Sequence, residues 1–101
     1  MKTILYVHDQ QIGSTAVASY LEMAGYRVEF VSTGEQCLQF LSKELPSLVL
    51  MDILIEGKNG FEVCRMIRKK VPSDQLPIIL ASSIYRSRLY REEALQAGAQ
   101  L

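Results

Sequence analysis

Four short apolar runs punctuate the chain: Ile4-Leu5-Tyr6-Val7, Val28 to Val31 with Glu29 inside it, Leu48-Val49-Leu50-Met51, and Ile78-Ile79-Leu80-Ala81. Three are continuous rather than alternating. A strand buried on both faces has that pattern, and parallel sheets are built from such strands. The charge within the second run marks it as an edge strand. Between the runs the apolar period becomes helical. From Gly13 to Ala24, the residues Ala16, Val17, Tyr20, Leu21 and Ala24 recur at three- and four-residue steps, and Gly25 follows as a C′ stop. Thr33-Gly34-Glu35-Gln36 reads as a capping box opening a second helix with Cys37, Leu38, Leu41 and Leu45 on its stripe and Pro46 as its end. A third helix follows Gly60, carries Phe61, Cys64, Ile67 and Val71, and closes at Pro72. A fourth runs from about Arg86 to Ala97, with Leu89, Ala94, Leu95 and Ala97 apolar and Gly98 as its stop.

The order β-α-β-α-β-α-β-α predicts an α/β fold: a parallel sheet with right-handed crossovers and helices on both faces. With 101 residues, 49% of them hydrophobic and 22% charged, the composition is that of one globular domain over 1–101. Eleven basic residues balance eleven acidic ones, so the chain has no bulk field for gripping nucleic acid or an anionic membrane. No apolar run approaches the roughly 18 residues of a membrane span, and the start is too short for a signal peptide. Cys37 and Cys64 fit neither a metal-ligand spacing nor a disulfide framework and read as core thiols. These features favour a small soluble cytoplasmic domain. The basic cluster Arg65, Arg68, Lys69 and Lys70 complements the dipole at the end of the third helix.

Ligands of open α/β sheets bind beyond the carboxyl ends of the strands. The runs end in His8-Asp9, Ser32-Thr33, Asp52 and Ser82-Ser83, so carboxylates, an imidazole and a hydroxyl converge on one rim. Asp9 and Asp52, from neighbouring strands, repel each other unless a cation or proton intervenes. Mg²⁺ suits such oxygen donors and clamps phosphoryl groups. The competing reading is that both carboxylates merely cap the loops that follow. Neither GxGxxG nor GxxxxGK[ST] occurs, which weakens nucleotide-binding readings. His8 and Asp9 are adjacent on one strand and start toward opposite faces, which disfavours a catalytic triad.

Taken together, these segments resemble the receiver domains of two-component response regulators. Lys2 to Gln10 is similar to the family's first strand and acidic pair, with His8-Asp9 where Asp-Asp is usual. LVLMDILIEGKNG, residues 48–60, resembles the phosphoacceptor segment, with Asp52 at the acceptor position and Gly60 eight residues on. LPIILASS, residues 76–83, resembles the fourth strand and its switch hydroxyl, Ser82, and ALQAGA, residues 94–99, the end of the fourth helix. The resemblance implies a flavodoxin-like, doubly wound sheet in the order 2-1-3-4. It implies that Asp52 takes a phosphoryl group from a histidine kinase or phosphotransfer protein. Asp9, Asp52 and the backbone carbonyl of Leu54 would hold Mg²⁺, and Ser82 would turn toward the phosphoryl group. Such a domain is a signalling switch rather than a metabolic enzyme, able to phosphorylate itself from a phosphodonor, with no nucleic-acid or membrane contact of its own.

Three departures qualify that implication. His8 replaces one acid, which predicts weakened Mg²⁺ binding, or, as an alternative, recruitment of a softer metal by His8 with Asp9 and Asp52. Glu56 and Lys58 stand where the family often has proline and an apolar residue. The chain stops at Leu101, before the family's fifth strand, its lysine and its fifth helix, so the expectation is a receiver that is incomplete at its C-terminus. The fourth strand is then an open apolar edge, which predicts a homodimer or a partner segment covering it. The alternative function is a degenerate receiver that binds or oligomerises without phosphorylation.

Overall fold

A computed structural model describes residues 2–8, 11–53, 55, 59–81 and 88–99, with the side chains of 11–15 and 88–91 left aside. Its elements alternate as the apolar runs predict: β1 (Thr3–Val7), α1 (Gln11–Met23), β2 (Arg27–Val31), α2 (Gly34–Lys43), β3 (Leu48–Asp52), α3 (Gly60–Arg68), β4 (Ile78–Ala81) and α4 (Arg88–Gln96). The strands form one parallel sheet in the order β2-β1-β3-β4, as the resemblance implies. The strand carrying Glu29 lies at an edge.

The chain moves one way across the sheet from β1 to β2, then the other way through β3 to β4. Right-handed crossovers therefore put α1 on one face and α2 and α3 on the other. The burial pattern agrees. Leu5, Val7, Val49, Met51, Ile78 and Leu80 alternate onto the α2/α3 face and join Cys37, Val63, Cys64 and Ile67 in one buried core. Ile4 and Tyr6 are buried on the α1 face. Strand order reverses between β1 and β3, so the rim above those two strands is the switch point of the sheet, where open α/β folds place their ligands.

Local sequence chemistry sets the element ends. Thr33 caps α2 by accepting from the Gln36 N–H at 3.1 Å. The Gln36 side chain reaches back to the Ser32 N–H at 2.7 Å, one residue earlier than in a regular capping box. Gly25 and Gly98 follow α1 and α4 at φ of 100° and 103°, the left-handed conformation that ends a helix. Arg68 does more than complement the α3 dipole. It donates to the Gly98 carbonyl at 2.8 Å and to the Val71 carbonyl at 3.3 Å, tying together the ends of α3 and α4. Arg65 meets Glu93 of α4 at 2.9 Å.

Three apolar stripes are narrower than their periodicity predicts. On α1, Ala18 is buried and Leu21 half-buried, whereas Val17 is 39% and Tyr20 75% exposed. Among the described residues no second helix shares that face of the sheet, so the flanks of α1 meet no neighbour. Leu45 lies outside α2 and is 50% exposed. Glu44 is already extended, and Pro46 disfavours helical backbone at the residue before it. Ala94 of α4 and Ala97 just beyond it are buried, but Leu95 points outward.

Both cysteines are free and fully buried. Burial, then the nearby Cys64, pushes the Cys37 thiol from an ordinary value of 9.0 up to about 12. Burial also raises Cys64, partly opposed by Arg68 and Arg65. Neutral thiols are poor nucleophiles, so alkylation by iodoacetamide at pH 8 should require unfolding. Above about pH 9 the unfolded chain releases a Cys37 proton that the folded chain keeps until about pH 12, so the thiol's contribution is lost across that window. Labelling of folded protein as fast as that of urea-unfolded protein would contradict this packing.

Candidate functional site

The rim above β1 and β3 is built by register. Val7 pairs with Met51, so His8 and Asp52 are next along the same two strands. Both alternate onto the α1 face with Tyr6 and Leu50, and not into the α2/α3 core. The His8 Nε2 lies 3.5 Å from the Asp52 Oδ2. Their side chains are 17% and 21% exposed, so the pair is sheltered but open to a ligand.

The backbone holds this pair from several sides. The His8 N–H donates to the Val31 carbonyl at 3.0 Å, extending the β1–β2 ladder by one bond. Asp52 pairs with Ala81 of β4, and the Ile53 N–H donates to the Ala81 carbonyl at 3.1 Å. The Gly60 N–H donates to the Ile53 carbonyl at 2.7 Å, which pins the start of α3 against the end of β3. A Cβ at Gly60 would lie 2.8 Å from the Asp52 carbonyl oxygen and 3.0 Å from the Ile53 Cα. Only glycine permits that approach. Asn59 caps α3 by accepting from the Glu62 N–H at 2.9 Å.

Side chains below the pair orient it. The Tyr6 ring meets His8 edge-on, centroids 5.5 Å apart at 83°, and stacks on Phe30 at 5.1 Å and 24°. Burial, then the Asp52 charge, raises the Tyr6 phenol above its ordinary value. Read from the sequence, Tyr6 is packing alone. The period-two spacing of Tyr6 and His8 on one strand was the signal that it also supports the site.

Of the residues implied by the resemblance, the structure brings Asp52 and His8 together. Asp9, Leu54 and Ser82, with Glu56 and Lys58, lie outside the described residues. Among the described residues no three His, Cys, Asp or Glu side chains gather into a metal-ligating group. The donors that are present suit a divalent cation in part: a hard carboxylate oxygen and a borderline imidazole nitrogen.

Comparison with known proteins gives this arrangement its class. The profile of the response regulator receiver domain matches residues 4–101, and the chain belongs to that family. It is 39% identical over 83 residues to the transcriptional regulatory protein AfsQ1 of Streptomyces coelicolor, covering 82% of this chain and 36% of that protein. It is 34% identical over 99 residues to RstA of Escherichia coli, covering 98% of this chain and 40% of that one. The chain thus spans about two fifths or less of the curated relatives it matches. Among solved structures, the BeF3-activated N-terminal receiver domain of Klebsiella pneumoniae RstA superposes with a TM-score of 0.88 at 32% identity, over 97% of this chain and 80% of that one. The receiver domain of a Pseudomonas aeruginosa sensor histidine kinase, solved with a magnesium ion coordinated in its active-site cleft, gives 0.85 at 29% identity, over 98% and 80%. The chain is a receiver domain of two-component signalling with the flavodoxin-like fold, and Mg²⁺ is the ion such domains generally bind.

Proposed function

We propose that Asp52 is the phosphoacceptor, taking a phosphoryl group from a phosphohistidine on a kinase or phosphotransfer protein in the cytoplasm. The observation that carries this is the position of Asp52: a partly exposed carboxylate at the carboxyl end of β3, at the sheet's switch point. An Asp52 carboxylate oxygen bonds to phosphorus as the donor's imidazole nitrogen leaves with the bond's electrons. The product is an acyl phosphate. Such a transfer depends on positioning and charge neutralisation more than on acid–base catalysis. The β1, β3 and Gly60 backbone contacts hold Asp52 in place for it. When bound, Mg²⁺ neutralises charge on the transferring phosphoryl oxygens; Asp52, Asp9 and the Leu54 carbonyl are the residues to hold it. His8 stands where the family has an acid and brings no negative charge, so Mg²⁺ binds more weakly here. Ser82 is the hydroxyl assigned to sense the phosphoryl group.

Untagged protein incubated with Mg²⁺ and acetyl phosphate should gain one phosphoryl group by intact mass, and Asp52→Asn should gain none. An equal adduct on the variant would remove Asp52 from the role. The reading as a phosphorylation-independent module is not favoured, because the family match and the accessible Asp52 carboxylate both support a working acceptor.

A further inference from the structure

We infer that His8 is itself a metal ligand, and that with Asp52 it turns this site toward divalent ions that accept nitrogen, Co²⁺ and Ni²⁺ among them, over Mg²⁺. The inference rests on the reading of Asp52 as the carboxylate of the receiver site. It concerns the identity of the ion.

Bonds of about 2.0–2.2 Å from one nitrogen and one oxygen to a shared ion put those two atoms about 2.8–3.6 Å apart for coordination angles of about 90–110°. The His8 Nε2 and the Asp52 Oδ2 stand 3.5 Å apart, at the wide end of that span. The imidazole is already aimed. Its backbone is fixed by the bond to Val31, and the Tyr6 ring packs edge-on against it. Little side-chain entropy remains to be lost when an ion binds.

The chemistry decides the preference. Mg²⁺ is small and hard, gives up water reluctantly and takes oxygen ligands. Exchanging a carboxylate for an imidazole therefore removes attraction for Mg²⁺ and supplies nothing in return. Later first-row ions rise in affinity along the series from Mn²⁺ to Cu²⁺, and imidazole is among their favoured ligands. A histidine at position 8 in place of an acid thus weakens the binding of Mg²⁺ and strengthens that of the later first-row ions. Cys37 and Cys64 do not compete for these ions in the folded protein, because both are fully buried.

His8 is the only histidine in the chain, so an imidazole signal from untagged protein has one source. The test is to titrate protein carrying ¹⁵N-labelled histidine with Co²⁺ and, separately, with Mg²⁺. Calorimetry and NMR are recorded for the natural chain, His8→Ala and His8→Asp, each shown to be folded by circular dichroism. Co²⁺ should bind the natural chain at least about tenfold more tightly than His8→Ala, by the usual effect of losing a ligand-sphere partner. It should also displace the His8 ring-nitrogen resonances by direct coordination. His8→Asp should tighten Mg²⁺ and loosen Co²⁺. Ring-nitrogen shifts no larger than a nearby, uncoordinated paramagnet produces would overturn the inference, leaving His8 and Asp52 as a side-chain contact only. So would equal Co²⁺ affinity in His8→Ala. The natural-chain spectrum decides the matter even if a variant fails to fold. The Asp52 adduct is scored separately, with Mg²⁺ and with Co²⁺. An adduct without His8 coordination sinks this inference alone, and His8 coordination without an adduct sinks the phosphoacceptor reading alone.

Discussion

Gly60→Ala should destabilise the domain by about 1–3 kcal/mol and impair phosphorylation in whatever protein remains folded. The added methyl would lie within 3.0 Å of two backbone atoms, the Asp52 carbonyl oxygen and the Ile53 Cα, and 3.2 Å from the Leu80 side chain. A flexible side chain can turn away from such a contact, but the end of a strand cannot without moving. The displaced atoms belong to Asp52, the proposed acceptor, and to its neighbour. The 2.7 Å bond from the Gly60 N–H to the Ile53 carbonyl moves with them. For a chain of this size the cost corresponds to a fall in Tm of about 5–20 °C. Gly25→Ala is the control. Its φ of 100° makes alanine costly, but nothing lies within 4 Å of the added Cβ, and it is remote from the site. It should lower Tm and leave the rate of adduct formation on folded protein unchanged. Equal adduct rates for Gly60→Ala and Gly25→Ala would show that the α3–β3 contact does not position Asp52.

Leu5→Ala should cost about 3–4 kcal/mol, within the range for fully buried leucine. Leu5 is fully buried on β1, an interior strand that pairs with both β2 and β3. Its side chain joins the core beneath α2 and α3, where the surrounding backbone is held by ladders on both sides and cannot close over a cavity. A loss of this size is a large part of the 5–15 kcal/mol that typically holds a domain together. Leu45→Ala is the matched comparison, half exposed beyond the end of α2, and should change stability by less than about 0.5 kcal/mol. The check is the urea midpoint at constant slope. Similar midpoints for the two variants would contradict the assigned core.

The sheet was legible because its strands carry their own evidence. Ile4 to Val7 and Leu48 to Met51 are continuous apolar runs of interior parallel strands, β1 buried on both faces and β3 buried on one and half-buried on the other. Glu29 correctly marked an edge. Helix faces were less legible. Val17 and Tyr20 have the right period, but period says which residues share a face and not whether anything packs on it. Leu45 failed for a local reason, the extended backbone ahead of Pro46. At the rim, strand-end placement put Asp52 and His8 side by side from the sequence, and the structure brings them within 3.5 Å. Their side-chain approach was not legible, because it depends on the pairing register of β1 with β3, which no run of residues states. The period-two spacing of Tyr6 and His8 was legible, but the stacking of Tyr6 on Phe30 depends on the register of β1 with β2.

The most direct test of the account is to find which side chain carries the phosphoryl group. Protein treated with acetyl phosphate and Mg²⁺ is reduced with borohydride, which converts an aspartyl phosphate to homoserine, and is then digested and sequenced by mass spectrometry. The account predicts homoserine at position 52 alone. Homoserine at another carboxylate, or a borohydride-resistant phosphoryl group on His8, would contradict it.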